Sequence, residues 1–89
     1  MLVFIQKIEM TGINPSVQIP DKVMLQLFKQ AGRDKGPIPV SGMIEGKPFN
    51  QKIIKYQGSW RMYLNTAIRQ ASHVKVGDSI TIALVYDTN

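Results

Sequence analysis

The sequence predicts a mainly β fold. The expected form is a small, closed or nearly closed six-stranded barrel with two short helices, built from pseudo-symmetric strand–helix halves. Three observations carry this expectation. Short segments of alternating apolar and polar residues recur along the chain, separated by Gly, Pro, Asn and Ser. Two other segments place their apolar residues at helical spacing. With 89 residues, 44% of them hydrophobic, the chain forms one domain near the small end of what folds without staples, and closely spaced strands at that size favour barrel closure.

The elements follow in order. Phe4 to Met10 fits a strand, with Phe4, Ile8 and Met10 on one face. Gly12, Asn14 and Pro15 build a turn, and Ser16 to Ile19 is a short strand with Val17 and Ile19 pointing the same way. Pro20 then starts a helix, where its missing N–H costs nothing. Asp21 in the first turn suits the helix dipole. Val23, Met24, Leu27 and Phe28 share a core-facing stripe, and Gly32 supplies a C-terminal cap. Arg33 to Gly36 reads as a polar loop. Pro37 to Ile44 is a strand with Ile38, Val40 and Ile44 on one face, and its two prolines place its start at a sheet edge.

Glu45-Gly46-Lys47 turns the chain into a returning strand, Pro48 to Tyr56, and Gln57-Gly58-Ser59 turns it again. Ser59 to Leu64 is a strand with Trp60, Met62 and Leu64 in phase, which makes Trp60 a core residue rather than a ligand platform. Asn65 is a helix N-cap, and Thr66 to His73 is a short helix with Ala67, Ile68 and Ala71 inward. Val74 to Asp78 is a tight turn. It feeds the last strand, Ser79 to Tyr86, where Ile80, Ile82, Leu84 and Tyr86 alternate strictly. The halves echo one another: Val17, Ile19, Pro20 and Val23 line up with Met62, Leu64, Asn65 and Ile68.

Three segments also resemble a known family: Pro37 to Phe49, Leu64-Asn-Thr-Ala-Ile-Arg69, and Val76-Gly-Asp78 with the Asp87 ending. In that order and spacing they are similar to the bacterial family called domain of unknown function 1905, from about Phe4 to Asp87. The chain departs from that family at Asn14-Pro-Ser16, where members often carry an aromatic, and at Tyr56-Gln-Gly-Ser59, where a Gly-Asp-Gly type of turn is common. The resemblance implies a small β-barrel and no particular reaction. A more distant likeness is to swapped-hairpin regulators of the AbrB and MazE type, through Ile19-Pro20 and Gly77-Asp78. Those assemble a barrel from two chains and bind DNA through basic residues, whereas this chain carries both halves itself.

Composition narrows the chemistry. Cysteine is absent, which excludes disulfides and thiolate metal sites. The N-terminal apolar run is short and interrupted by charge, unlike a signal peptide or a membrane span, so a cytoplasmic chain without a membrane partner is the expectation. The single histidine, His73, lies at a helix C-terminus, where a cation suits the dipole. The six acidic residues, Glu9, Asp21, Asp34, Glu45, Asp78 and Asp87, fall in scattered turns and helix starts and form no catalytic pair. Asp78 is expected to bond the amides of its own turn. Gly32-Arg-Asp-Lys-Gly36 lacks a Gly-Lys-Ser/Thr ending and follows a helix, so it reads as a connector rather than a phosphate loop. No enzyme activity, metal or cofactor is expected.

The net charge is +5, with an isoelectric point near 9.8, which favours polyanions. Lys52 and Lys55 lie on one hairpin; Arg61, Arg69 and Lys75 flank the helix and turn that follow; and Arg61 and Tyr63 share the strand face opposite Trp60 and Met62. A face carrying these residues can hold phosphates and stack a base. The bland alternative is a solvated outer barrel face with one exposed tyrosine. The expectation is a noncatalytic binding module, monomeric or weakly dimeric, for a small molecule or a protein. The alternative is a nucleic-acid-binding barrel that uses Arg61, Arg69, Lys52, Lys55, Lys75 and Tyr63.

Overall fold

Seven strands rather than six form the sheet, because the first predicted strand breaks at Ile8. The computed structural model describes residues 1–88. In chain order the elements are β1 (Leu2–Lys7), β2 (Glu9–Thr11), β3 (Asn14–Gln18), α1 (Asp21–Ala31), β4 (Ile38–Ile44), β5 (Lys47–Tyr56), β6 (Ser59–Tyr63), α2 (Thr66–Ser72) and β7 (Ser79–Tyr86). At the break, the Ile8 N–H donates to the Asp78 carbonyl (2.9 Å) and the Ile8 carbonyl accepts from Gly77 (2.9 Å). The turn before β7 thus holds residue 8 while its side chain enters the core. The chain then leaves β7 and pairs with β3 as a hairpin. Alternation alone runs through such a break, which is why one strand was expected. Beyond it Met10 points to solvent, 51% exposed, instead of joining Phe4 and Ile8.

The sheet is antiparallel throughout, in the order β1-β7-β4-β5-β6-β3-β2, and it rolls into a half barrel. At the seam the Gln6 side chain of β1 donates to the Gln18 carbonyl of β3 at 2.8 Å. Inward residues alternate as the sequence predicts. Ile38, Val40, Ile44, Ile53, Met62, Ile82 and Leu84 are fully buried, and each such side chain contributes about 1.5–3 kcal/mol on leaving water.

Pro39 is not on an edge strand, since β4 lies between β5 and β7, and Pro37 precedes the strand. Its first residues instead overhang β7. Pairing with β7 begins at Val40, while Pro39 pairs only with Lys52 of β5 and its carbonyl accepts from Asp87 at 2.9 Å. The missing proline N–H therefore falls where β7 has no ladder partner.

Pro20 caps α1, its carbonyl accepting from Val23 and Met24 (3.0 Å each), and Gly32 closes the helix in the left-handed region at φ 69°. Val23, Met24 and Leu27 are buried. Asn65 caps α2, its Oδ1 accepting from the Ile68 N–H at 2.9 Å. In α2 the inward residues are Ile68 and Ser72, while Ala67 and Ala71 face solvent. The helix is seven residues long and its orientation is set by one large side chain, Ile68, with the residue one turn later beneath the same face.

The echo between halves is a structural two-fold. Strand β3 pairs with β6, Val17 opposite Met62, and β4 pairs with β7, Gly42 opposite Leu84. The shift that carries Val17 onto Met62 carries Ile19 onto Leu64 and Trp60 back onto Pro15. The bond from Ile19 N–H to the Trp60 carbonyl (2.8 Å) then maps onto that from Leu64 N–H to the Pro15 carbonyl (3.0 Å).

Candidate functional site

Of the predicted basic residues, Arg61 and Arg69 hold partners within the fold. Arg61 projects from the outer face of β6 across β3. Its Nη1 lies 3.6 Å from Glu9 Oε1 and donates to Ser16 Oγ at 3.4 Å. Ser16 is fully buried beneath it and shares a second hydrogen bond with the Thr11 hydroxyl. The Arg61 side chain, 18% exposed, lies over these hydroxyls and ties β2, β3 and β6 together. Arg69 donates from Nε to the Leu64 carbonyl (2.9 Å) and from Nη2 to Thr66 Oγ1 (3.3 Å). It therefore satisfies backbone at the start of α2.

Tyr63 and Arg69 line one open hollow of about 350 Å³ together with Asn14 and Pro15. The Tyr63 carbonyl accepts from Gln51 at 2.9 Å. Lys52 is exposed on β5 and borders a separate hollow with Asp87. Lys75 lies in the turn after α2, where its backbone N–H donates to the Asp78 carboxylate at 3.0 Å, the bond expected of Asp78. His73 is the left-handed C-cap of α2, at φ 56°. Among the described residues, no group of three or more His, Asp or Glu is placed to hold a metal ion. No helix among them is long and apolar enough to cross a membrane.

Lys55 leads to a different place. Strand pairing sets it opposite Trp60, and its Nζ lies 5.8 Å from the indole centroid. Trp60 keeps the inward phase expected of it, yet it is only half-buried, because it sits at the start of β6 where the barrel opens beneath α1. Phe28 of α1 meets the indole edge-on, centroids 5.3 Å apart and planes at 72°. The connector between α1 and β4 folds back on the same ring. A Cβ on Gly36 would stand 2.7 Å from Trp60 Cζ3, so the loop approaches this closely only because residue 36 lacks a side chain. Arg33 braces the loop by donating from Nη2 to the Pro37 carbonyl at 2.9 Å.

Between this connector and the ends of β5 and β6 lies an open hollow of about 420 Å³. Asp34 to Pro37 form one wall; Ile54, Lys55 and Trp60 form the other. Its volume is in the range that holds small ligands, and it combines apolar surface with a few charged groups. Alternation assigned Trp60 to the core, and motif spacing assigned residues 33–36 to a mere connector. Neither signal registers a loop folding back on a distant ring. The unusual pairing in sequence of Lys55 and Trp60 across a tight Gln57-Gly58 turn is the one local clue that points to it.

No curated protein matches the chain. Residues 8–84 match the family described as Domain of unknown function (DUF1905), a span that runs from the break at Ile8 to the core end of β7. The rolled sheet, its paired strand–helix halves and this match agree with the resemblance carried by Pro37 to Phe49, Leu64 to Arg69 and Val76 to Asp78, and the chain belongs to the DUF1905 family.

Proposed function

We propose that this chain is a noncatalytic binding module of bacterial, cytoplasmic type, monomeric or weakly dimeric, that takes a small molecule in the hollow beside Trp60. The observation that carries this reading is the indole itself. It is half-exposed, yet held from one side by Phe28 and at its edge by the Gly36 backbone. A large ring fixed before binding loses little freedom when a ligand stacks on it. The acidic groups support a binding role over catalysis. Glu9 engages Arg61, Glu45 accepts from the Thr81 N–H at 3.1 Å, and Asp78 closes its own turn.

Nucleic-acid binding through Arg61, Tyr63, Arg69 and the nearby lysines is the second reading, favoured by the +5 net charge and by Tyr63 and Arg69 sharing a hollow. It ranks below the first because both guanidinium groups already hold internal partners. A backbone-amide NMR titration with a mixture of small aromatic compounds tests the preference. Shifts confined to residues 34–37, 54, 55 and 60 are expected. The same experiment with random single-stranded RNA, giving salt-dependent shifts along Arg61, Tyr63 and Arg69 and none from the aromatics, would reverse the order.

A further inference from the structure

We propose that the ligand of the Trp60 hollow is a ring-bearing anion: a small molecule that joins one flat aromatic ring system to one acidic group. This rests on the reading of the hollow as the binding site and names the chemistry that the site selects. Three features of the hollow combine. The first is the stacking surface, since the indole of Trp60 is fixed by Phe28 and by the close approach of Gly36. The second is charge. Two ammonium groups, Lys35 and Lys55, border the hollow against one carboxylate, Asp34, so an acidic ligand group meets a net positive rim. The third is size. About 420 Å³ accommodates a ring and one acidic substituent.

The position of Lys55 gives the selection a mechanism. Without ligand, its ammonium lies over the indole, 5.8 Å from the centroid, where the negative ring face attracts it. A flat ring that stacks on Trp60 takes that place and displaces the ammonium. The displaced charge then needs a new partner. An acidic group on the ligand supplies one, at the rim, where Lys35 also reaches it. A neutral ring offers the lysine nothing in exchange, and a cationic ring repels it. The anion without a ring gains only solvent-exposed lysine contacts, which are weak on their own.

Trp60 is the only tryptophan in the chain, so its fluorescence reports the hollow directly. Four probes separate the contributions: adenosine 5′-monophosphate, adenosine, 5′-amino-5′-deoxyadenosine and ribose 5-phosphate. The expected result is saturable quenching by adenosine 5′-monophosphate, at least tenfold tighter than by adenosine, with no saturable change from the amine or the ribose phosphate. In the Lys35→Ala/Lys55→Ala variant, whose two changed side chains are exposed, the monophosphate falls to the level of adenosine while the thermal midpoint stays in place. Adenosine or its amine binding as tightly as the monophosphate would overturn the anionic class and leave the hollow as a site. If none of the three ring compounds saturates the signal, the binding reading beneath the proposal fails as well.

Discussion

Replacing Gly42 by alanine should remove much of the stability of this domain, and the cost can be worked from the backbone. Gly42 stands opposite Leu84 in the ladder between β4 and β7. A Cβ there would lie 1.8 Å from the Ala83 carbonyl oxygen, 2.7 Å from Leu84 Cα and 2.8 Å from the Ala83 carbonyl carbon. All three are backbone atoms of a central strand, so no rotamer relieves the overlap. Bringing the 1.8 Å contact to the 3.0 Å floor of real Cβ contacts moves the strands apart by more than about 1 Å. Hydrogen bonds stretched that far are lost. Two ladder bonds at about 1 kcal/mol each, with about 1–3 kcal/mol of packing strain, give a loss of roughly 3–5 kcal/mol. That is a large part of the 5–15 kcal/mol typical of a small domain. Urea unfolding followed by Trp60 fluorescence measures it, and a midpoint lower by about 2 M or more is expected. A Gly42→Ala protein within about 1 kcal/mol of the parent, with the same denaturant slope, would show that β4 and β7 are not pressed together at this point.

Three further variants address a helix cap, the two arginines and the hollow. Asn65→Ala removes the bond to the Ile68 N–H and should cost about 1 kcal/mol, lowering the thermal midpoint by roughly 4–8 °C, with Asn65→Asp restoring most of it. The Arg61→Ala/Arg69→Ala pair strips charged donors from Ser16 and from the Leu64 carbonyl. A loss of about 2–3 kcal/mol is expected in urea titrations, and an unmoved midpoint together with weakened RNA binding would return these residues to the nucleic-acid reading. Gly36→Ala drives a methyl against the Trp60 ring, 2.7 Å from Cζ3. The indole or the loop must shift, so the emission maximum of Trp60 should move and binding in the hollow should weaken at least tenfold; an unchanged spectrum would mean that the loop does not rest on the ring.

What the sequence makes legible here is whatever one segment decides alone. Ile80, Ile82 and Leu84 alternate into the core as predicted, and Val23, Met24 and Leu27 form the expected stripe. Asn65 caps its helix, and Glu45-Gly46 and Gln57-Gly58 turn their hairpins. What stays hidden depends on distant partners. The break at Ile8 exists because Gly77 and Asp78 hold that residue, and Arg61 is occupied because Glu9 and Ser16 come under it from the far end of the chain. In α2, Ile68 turns inward as predicted, but the second inward residue is Ser72 and both alanines face outward, a choice that apolar spacing does not record. The Trp60 hollow is of the same kind, since it appears only when residues 34–37 return to a ring more than a strand away.

The two-fold relation between the halves has an asymmetric outcome. Under it, the counterpart of Trp60 is Pro15 and the counterpart of Phe28 is His73, just past the end of α2. Helix α1 has eleven residues and α2 seven, and that extra turn is what carries Phe28 to the indole. The connectors that follow are equally long, residues 32–37 after α1 and residues 73–78 after α2, but it is residues 34–37 that wall the hollow beside the indole. The repeated scaffold carries an indole-walled hollow once, since the chain has one tryptophan. Both halves build that hollow, the first through Phe28 and residues 34–37 and the second through Trp60, so a change at the open end of either half alters the same surface.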